Sequence, residues 1–153
     1  MYDRWEYDVP ASTSEEDAIK VPLRISQGVI QQISIGFPSG CGAYDPITGL
    51  TTLLARCRLW CGSTPVVPRS PSHYIAADSY IVEIPNQEFE VTKGRTTLTW
   101  EVWNLDDVFS HELWIGINWR QFEEEDEVLP TLLRIEKQLQ DLNVKLGYLV
   151  GVG

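Results

Sequence analysis

Long apolar runs are missing from this sequence. No stretch approaches the roughly 20 residues that a bilayer-spanning helix needs, and the opening MYDRWEYDV lacks the apolar core of a signal peptide. A protein without a membrane span, made and kept in the cytoplasm or assembled there into a particle, is the expectation. Basic residues are scarce: 12 Lys and Arg stand against 22 Asp and Glu, a net charge of −10. Nucleic acid is not an expected partner, because the phosphate backbone rewards clustered cations. Anionic membrane surfaces are disfavoured on the same ground, whereas solubility or a basic partner is favoured.

Cysteine is also sparse. Cys41, Cys57 and Cys61 are odd in number and lack the dense, even pattern of a disulfide scaffold. Cys57 and Cys61 sit four apart on a predicted strand, so both point to one face and read as small buried hydrophobes. The two histidines, His73 and His111, lie far from that pair in sequence. A zinc site would need more ligands at closer spacing, and no metal or cofactor is expected. Helical periodicity is absent before residue 123, which excludes an alternating βα architecture.

What is present is alternation. At 153 residues the chain suits one domain with a proper core. Trp5, Tyr7 and Val9 alternate with charges and end at Pro10. Ile19, Val21, Leu23 and Ile25 alternate with Lys20, Pro22 and Arg24, and Pro22 marks this as an edge strand. In the next run Val29, Gln31, Ile33, Ile35 and Phe37 share one face. Glycines and Pro46 then open a long loop. Leu53, Ala55, Cys57, Leu59 and Cys61 share a face, with Leu54, Arg56, Arg58 and Trp60 on the other. GSTPVVPRSPS, with three prolines, reads as an exposed loop. Tyr80, Val82 and Ile84 mark a strand ended by Pro85, and Phe89 and Val91 a short one. About seven to eight short strands at close spacing predict an all-β fold, an antiparallel β-sandwich of jelly-roll or immunoglobulin-like order. The predicted domain spans residues 1–122.

The densest signal lies at residues 96–119, TTLTWEVWNLDDVFSHELWIGINW, which holds four of the six tryptophans. It predicts a central β-hairpin. Leu98, Trp100, Val102, Phe109, His111, Leu113, Ile115, Ile117 and Trp119 form its inward set. Directly opposed residues should then have an odd sum, as for Trp100 with His111 or Leu113. Trp103 and Trp114 fall on the outward face, as does Trp60 on its own strand. An outward Trp calls for a cover. Three covers fit: this chain's own helix or a loop, another subunit, or a sugar stacked on the rings with Glu and Asn nearby.

No catalytic constellation stands out. Asn104, Asp106 and Asp107 suit a tight turn, because their side chains bond the local backbone; a calcium site would need more converging oxygens. Glu101 and Glu112 would face each other across the hairpin, and paired carboxylates can hydrolyse glycosides in a cleft, but a flat sheet face is a poor cleft. His111 belongs to the inward set and reads as a hydrogen-bonded core histidine. PSGCGAY lacks the lysine and following helix of a phosphate loop.

Composition shifts at residue 123. EEEDE precedes Val128, Leu129 and Pro130, and proline and acidic residues suit a first helical turn. Val128, Leu132, Ile135, Leu139, Leu142, Leu146 and Leu149 then recur at alternating spacings of four and three, a heptad with apolar a and d positions. Residues 123–153 thus read as an acidic linker, a C-terminal α-helix and a tail. Two readings of the stripe remain: a helix packed on its own sandwich, or a coiled coil joining three or more copies. The narrowness of the stripe favours the coiled coil; Leu133 and Val144 fall outside it.

The succession GVIQQISIGFPSGCGAY, RLWCGSTPVVP, ADSYIVEIP and WEVWNLDDVFSHELWIGI resembles small phage- and provirus-encoded β-sandwich proteins of virion type. The resemblance covers roughly residues 3–119 and departs from that pattern in the proline-rich loop after Cys61. It implies a virion component rather than an enzyme, and it carries no catalytic residues. The expected function is a non-enzymatic structural protein, a capsid-surface, vertex, spike or decoration component located in the virion. Its expected partners are copies of itself, through the helix stripe, and other virion proteins. The alternative is a carbohydrate-binding module using Trp60, Trp103 and Trp114.

Overall fold

The computed structural model describes residues 1–92, 94, 96–122 and 133–142. The chain divides into two compact units, Met1–Gln121 and Phe122–Gly153. The described residues of the first form ten strands: β1 (Tyr2–Val9), β2 (Ile19–Arg24), β3 (Gly28–Phe37), β4 (Gly42–Asp45), β5 (Leu50–Leu53), β6 (Ala55–Cys61), β7 (Thr64–Val67), β8 (Tyr80–Val91), β9 (Thr97–Asn104) and β10 (His111–Gln121). Two four-stranded antiparallel sheets, β1-β10-β3-β8 in front and β2-β9-β6-β7 behind, form a β-sandwich. β4 and β5 pair as a separate hairpin.

The alternation explains the layers. Period-2 strands send one side-chain set to each face. Ile33, Ile35, Leu113, Ile115 and Ile117 of the front sheet meet Cys57, Leu59, Leu98, Trp100 and Val102 of the back sheet in one core. Each such aliphatic chain contributes roughly 1.5–3 kcal/mol on burial. The strand order separates the two sandwich types left open by the sequence. In an immunoglobulin fold the first two strands share a sheet. Here β1 and β2 lie in opposite sheets, and so do β9 and β10. With the β4–β5 insert set aside, this is the double Greek-key order of a jelly roll.

That order corrects the predicted hairpin. β9 pairs with β2 and β6, whereas β10 pairs with β1 and β3. Residues 105–110 therefore cross between sheets, and no β9–β10 register exists to test the odd-sum expectation. Alternation fixes which residues face inward but not which sheet a strand joins, and the two polar turn residues Asp106 and Asp107 serve a crossover as well as a hairpin. The inward set holds for Leu98, Trp100, Val102, His111, Leu113, Ile115, Ile117 and Trp119, all buried. Phe109 is the exception: it precedes β10 and is 66% exposed. Glu101 and Glu112 belong to different sheets and do not form a pair.

Three smaller departures have local causes. A bulge at Gln31 shifts the β3 register, so that Ile30 joins Ile33 and Ile35 in the core, where strict alternation would place it outside. β8 runs on past Pro85, since it is an edge strand whose missing N–H breaks no inner ladder. The proline-rich segment is not wholly an exposed loop: Thr64–Val67 forms β7, and Val66 and Val67 are buried. Pro22 does lie on an edge strand, β2, and the three cysteines are buried.

In the second unit, residues 133–142 are helical, and every one of them is exposed. Ile135, Leu139 and Leu142 of the heptad stripe lie there; Val128, Leu132, Leu146 and Leu149 lie outside the described residues. No described helix is long and apolar enough to cross a membrane.

Candidate interaction surface

The outward tryptophans separate into two environments. On the back sheet Glu101 organises the outer face. Its carboxylate accepts from Arg58 Nε at 3.0 Å and from Trp60 Nε1 at 2.9 Å, with Lys20 Nζ at 3.8 Å. Arg58 also donates to Glu15 at 2.9 Å and to the Pro71 carbonyl at 3.2 Å. Its guanidinium lies 4.9 Å from the Trp103 ring centroid and 5.8 Å from that of Trp60, within cation–π range. Tyr74 meets Trp103 edge-on at 5.9 Å, and Arg56 stacks on Tyr74 at 4.4 Å.

The segment after β7 closes this face. Ile75 exchanges two backbone hydrogen bonds with Cys57, at 3.0 and 2.9 Å, and so prolongs the sheet. It carries Tyr74 over Trp103, which is 0% exposed. Trp103 is thus a second, outer core residue covered by a loop of its own chain, one of the three covers compatible with the sequence. Trp60 borders a hollow of about 280 Å³ with Lys20, Thr99 and Glu101.

Trp114 lies on the outer face of the front sheet, so the three tryptophans do not share a face. Its ring is laid over Gly36 of β3, where a Cβ would collide with it, and Tyr2 covers Gly116 in the same way. Arg4 stacks on Trp114 at 4.2 Å and is paired with Glu6. Beside Trp114 an open groove of about 710 Å³ runs along β3, β8 and β10, bordered by Phe37, Tyr80, Ile81, Glu83 and Glu112.

This groove opens toward one end of the sandwich. Four connections meet there: those after β1, β3, β7 and β9. Ser12 N–H donates to the Asp106 carbonyl, Thr13 pairs with Asn104, Leu105 N–H reaches the Leu54 carbonyl and Ser79 N–H the Pro38 carbonyl. The same end collects most of the sandwich's exposed large apolar side chains: Tyr44, Ile47 and Leu50 on the β4–β5 hairpin, Val108 and Phe109 in the crossover, Tyr80 and Ile81 opening β8.

Two aspartates order the turns that carry Ile47, Val108 and Phe109. Asp45 Oδ1 accepts the Ile47 N–H at 2.8 Å, and its Oδ2 accepts the Thr48 hydroxyl at 2.8 Å. Gly49, at φ 70°, closes the turn with its N–H on the Asp45 carbonyl. Asp106 Oδ1 accepts from Val108 and Phe109 N–H at 2.8 and 3.0 Å, while Oδ2 lies 3.0 Å from His111 Nε2. Asn104 donates to the Val9 and Phe109 carbonyls and accepts from Asp106 N–H. Ile47, 93% exposed, and Val108, 71% exposed, are therefore the tips of built turns. The donated N–H groups favour the charged carboxylate. The Val108 and Phe109 amides hold Asp106 below the usual carboxylate range, and the Ile47 amide with the Thr48 hydroxyl does so for Asp45.

Turn chemistry at Asn104 and Asp106, and a hydrogen-bonded His111, were legible from the sequence; the display of Ile47, Val108 and Phe109 was not, although the DPITG turn carried the signal. Burial pushes the Cys41 thiol up to about 12, reinforced by the charges of Asp78 and Asp106, and pushes Cys57 up to about 12. Thiols so shifted are poor nucleophiles at neutral pH. Among the described residues no group of three or more His, Cys, Asp or Glu side chains could hold a metal ion. Neither family models, nor curated proteins, nor solved structures gave a match to this chain.

Proposed function

We propose that the chain is a non-enzymatic structural protein of a virion-type particle, a capsid-surface, vertex, spike or decoration subunit. In this reading it associates with copies of itself and with other particle proteins, and it is assembled in the host cytoplasm. The observation that carries the reading is the end of the sandwich where Asp45 and Asp106 hold Ile47, Val108 and Phe109 out to water. Exposed apolar clusters of this kind mark contact surfaces, and turns already ordered in the free protein lower the entropic cost of docking. The jelly-roll order supports the class by analogy, since such folds recur in viral capsid and lectin domains.

Self-association is assigned to the helix stripe, of which Ile135, Leu139 and Leu142 are exposed. Light scattering on the full chain tests it. Three or more copies are expected, falling to a monomer in the combined variant Ile135→Asp, Leu139→Asp, Leu142→Asp. A wild-type chain that stays monomeric at high concentration would count against the proposal.

The carbohydrate reading stands second and rests on Trp114, whose groove has carboxylates at its rim. Trp103 is buried and Trp60 is bound to Glu101 on the other sheet. A platform of three rings is therefore not available to a sugar.

A further inference from the structure

Acidic side chains outnumber basic ones at the apolar end. Residues 10–18 carry Glu15, Glu16 and Asp17, and residues 105–110 carry Asp106 and Asp107. Residues 38–54 add Asp45 and residues 76–79 add Asp78. None of these four segments contains a Lys or Arg; the earlier part of the connection after β7 adds Arg69, which donates to the Gln87 carbonyl at 3.1 Å, and Arg56 of β6 stacks on Tyr74. Arg58 reaches Glu15 from the back sheet, which neutralises one carboxylate at the margin. The adjoining groove repeats the pattern: Glu83 and Glu112 border it, and among the described residues no cationic side chain does. Trp114, at its side, already stacks with a guanidinium, that of Arg4.

From this juxtaposition we infer that the end docks a basic protein surface, one that sets apolar side chains against Ile47, Val108 and Phe109 and places an Arg or Lys in the groove between Trp114, Glu83 and Glu112. The inference rests on the reading of this end as a contact surface and adds the chemistry of the partner. Three physical points favour a basic partner over the other occupants. A second copy presenting the same end would bring carboxylates against carboxylates, and like charges brought together cost affinity. A basic side chain gains charge pairing with the two glutamates. A neutral sugar would gain hydrogen bonds to the carboxylates but no charge pairing, and the ring on which it would stack is already covered by Arg4 at 4.2 Å.

The test is a titration of the isotopically labelled full chain, followed by amide and indole N–H signals. The probes are two blocked synthetic pentapeptides, alternating leucine and phenylalanine with arginine in one and with glutamate in the other, and a cello-oligosaccharide. The arginine peptide is expected to shift the signals of Ile47, Val108, Phe109 and the Trp114 indole. It should bind at least about tenfold more tightly than the glutamate peptide, and the difference should shrink in high salt. In the combined variant Glu83→Lys, Glu112→Lys the preference should reverse, and an unchanged thermal midpoint shows that the variant is folded.

Equal binding of both peptides at these residues would overturn the basic partner while leaving the contact surface standing. Signals at Ile47, Val108 and Phe109 that move with protein concentration alone, with no peptide effect, would give the surface to a second copy. No peptide effect together with a Trp114 shift from the oligosaccharide would overturn both the partner and the contact surface.

Discussion

The two outer faces of this sandwich carry tryptophans for different reasons. On the back sheet, Trp103 and Trp60 are stitched into a layer with Arg58, Glu101 and Tyr74, and the segment after β7 folds over it. On the front sheet, Trp114 covers Gly36 and borders an open groove. The first face has turned an outward position into a second small core. The second leads to an end where apolar side chains stand in water on ordered turns. An outward tryptophan is therefore not by itself a sign of a ligand; what matters is whether the chain supplies its cover.

Substitution should separate the two faces. Trp103→Ala removes a fully buried ring and is expected to cost about 3–5 kcal/mol in denaturant unfolding. Trp114→Ala, at a partly exposed site, should cost about 1 kcal/mol. Equal losses would erase the distinction. Next in size is Glu101→Gln, which weakens charge-assisted bonds to Arg58 and should cost about 1.5–3 kcal/mol. Its front-face counterpart Glu112→Gln is exposed and should change stability by less than about 0.5 kcal/mol. A double-mutant cycle between Glu101 and Arg58 with no coupling would contradict the account of the back face.

The difference between the faces explains what could be read in advance. Which residues face the core follows from period-2 alternation: β6 obeys it throughout, and the inward positions Leu98, Trp100 and Val102 of β9 and His111, Leu113, Ile115, Ile117 and Trp119 of β10 are all buried. Pairing partners do not follow, because inward Leu98 and Leu113 fit the core from either sheet; that is why residues 96–119 read as a hairpin but fold as a crossover. Trp103 looked exposed because its cover, Tyr74, lies in a segment without periodicity. The display of Ile47 and Val108, and of Phe109, which alternation places inward, escapes the sequence for a similar reason. Their exposure depends on a carboxylate bonding the backbone two or three residues on, and a local turn carries no hydrophobic pattern. The jelly-roll order rests on contacts between strands distant in sequence, which no local window contains.

A smaller effect follows from the turn aspartates. Asp45 and Asp106 have folded-state pKa values below the usual carboxylate value, so the unfolded chain binds the proton first as the pH falls. Their stabilising contribution is fully present above the usual carboxylate pKa of about 3.9 and is lost as the pH drops through the lowered folded values. Amide hydrogen exchange at Ile47, Val108 and Phe109, corrected for intrinsic rates, should show protection falling in that acid window and not between about pH 5 and 8. Protection that stays flat into the acid range would mean that the carboxylates do not hold the turns.

Truncation of the displayed side chains tests the central claim most directly. If Ile47, Val108 and Phe109 are displayed for contact, they add little to the stability of the isolated chain. Denaturant unfolding of the combined variant Ile47→Ser, Val108→Ser, Phe109→Ser should give a free energy within about 1.5 kcal/mol of wild type, the sum of three surface-sized changes. A loss of about 4 kcal/mol or more, in the range of core truncations, would show that these side chains support the fold and would contradict the account of this end as a docking surface.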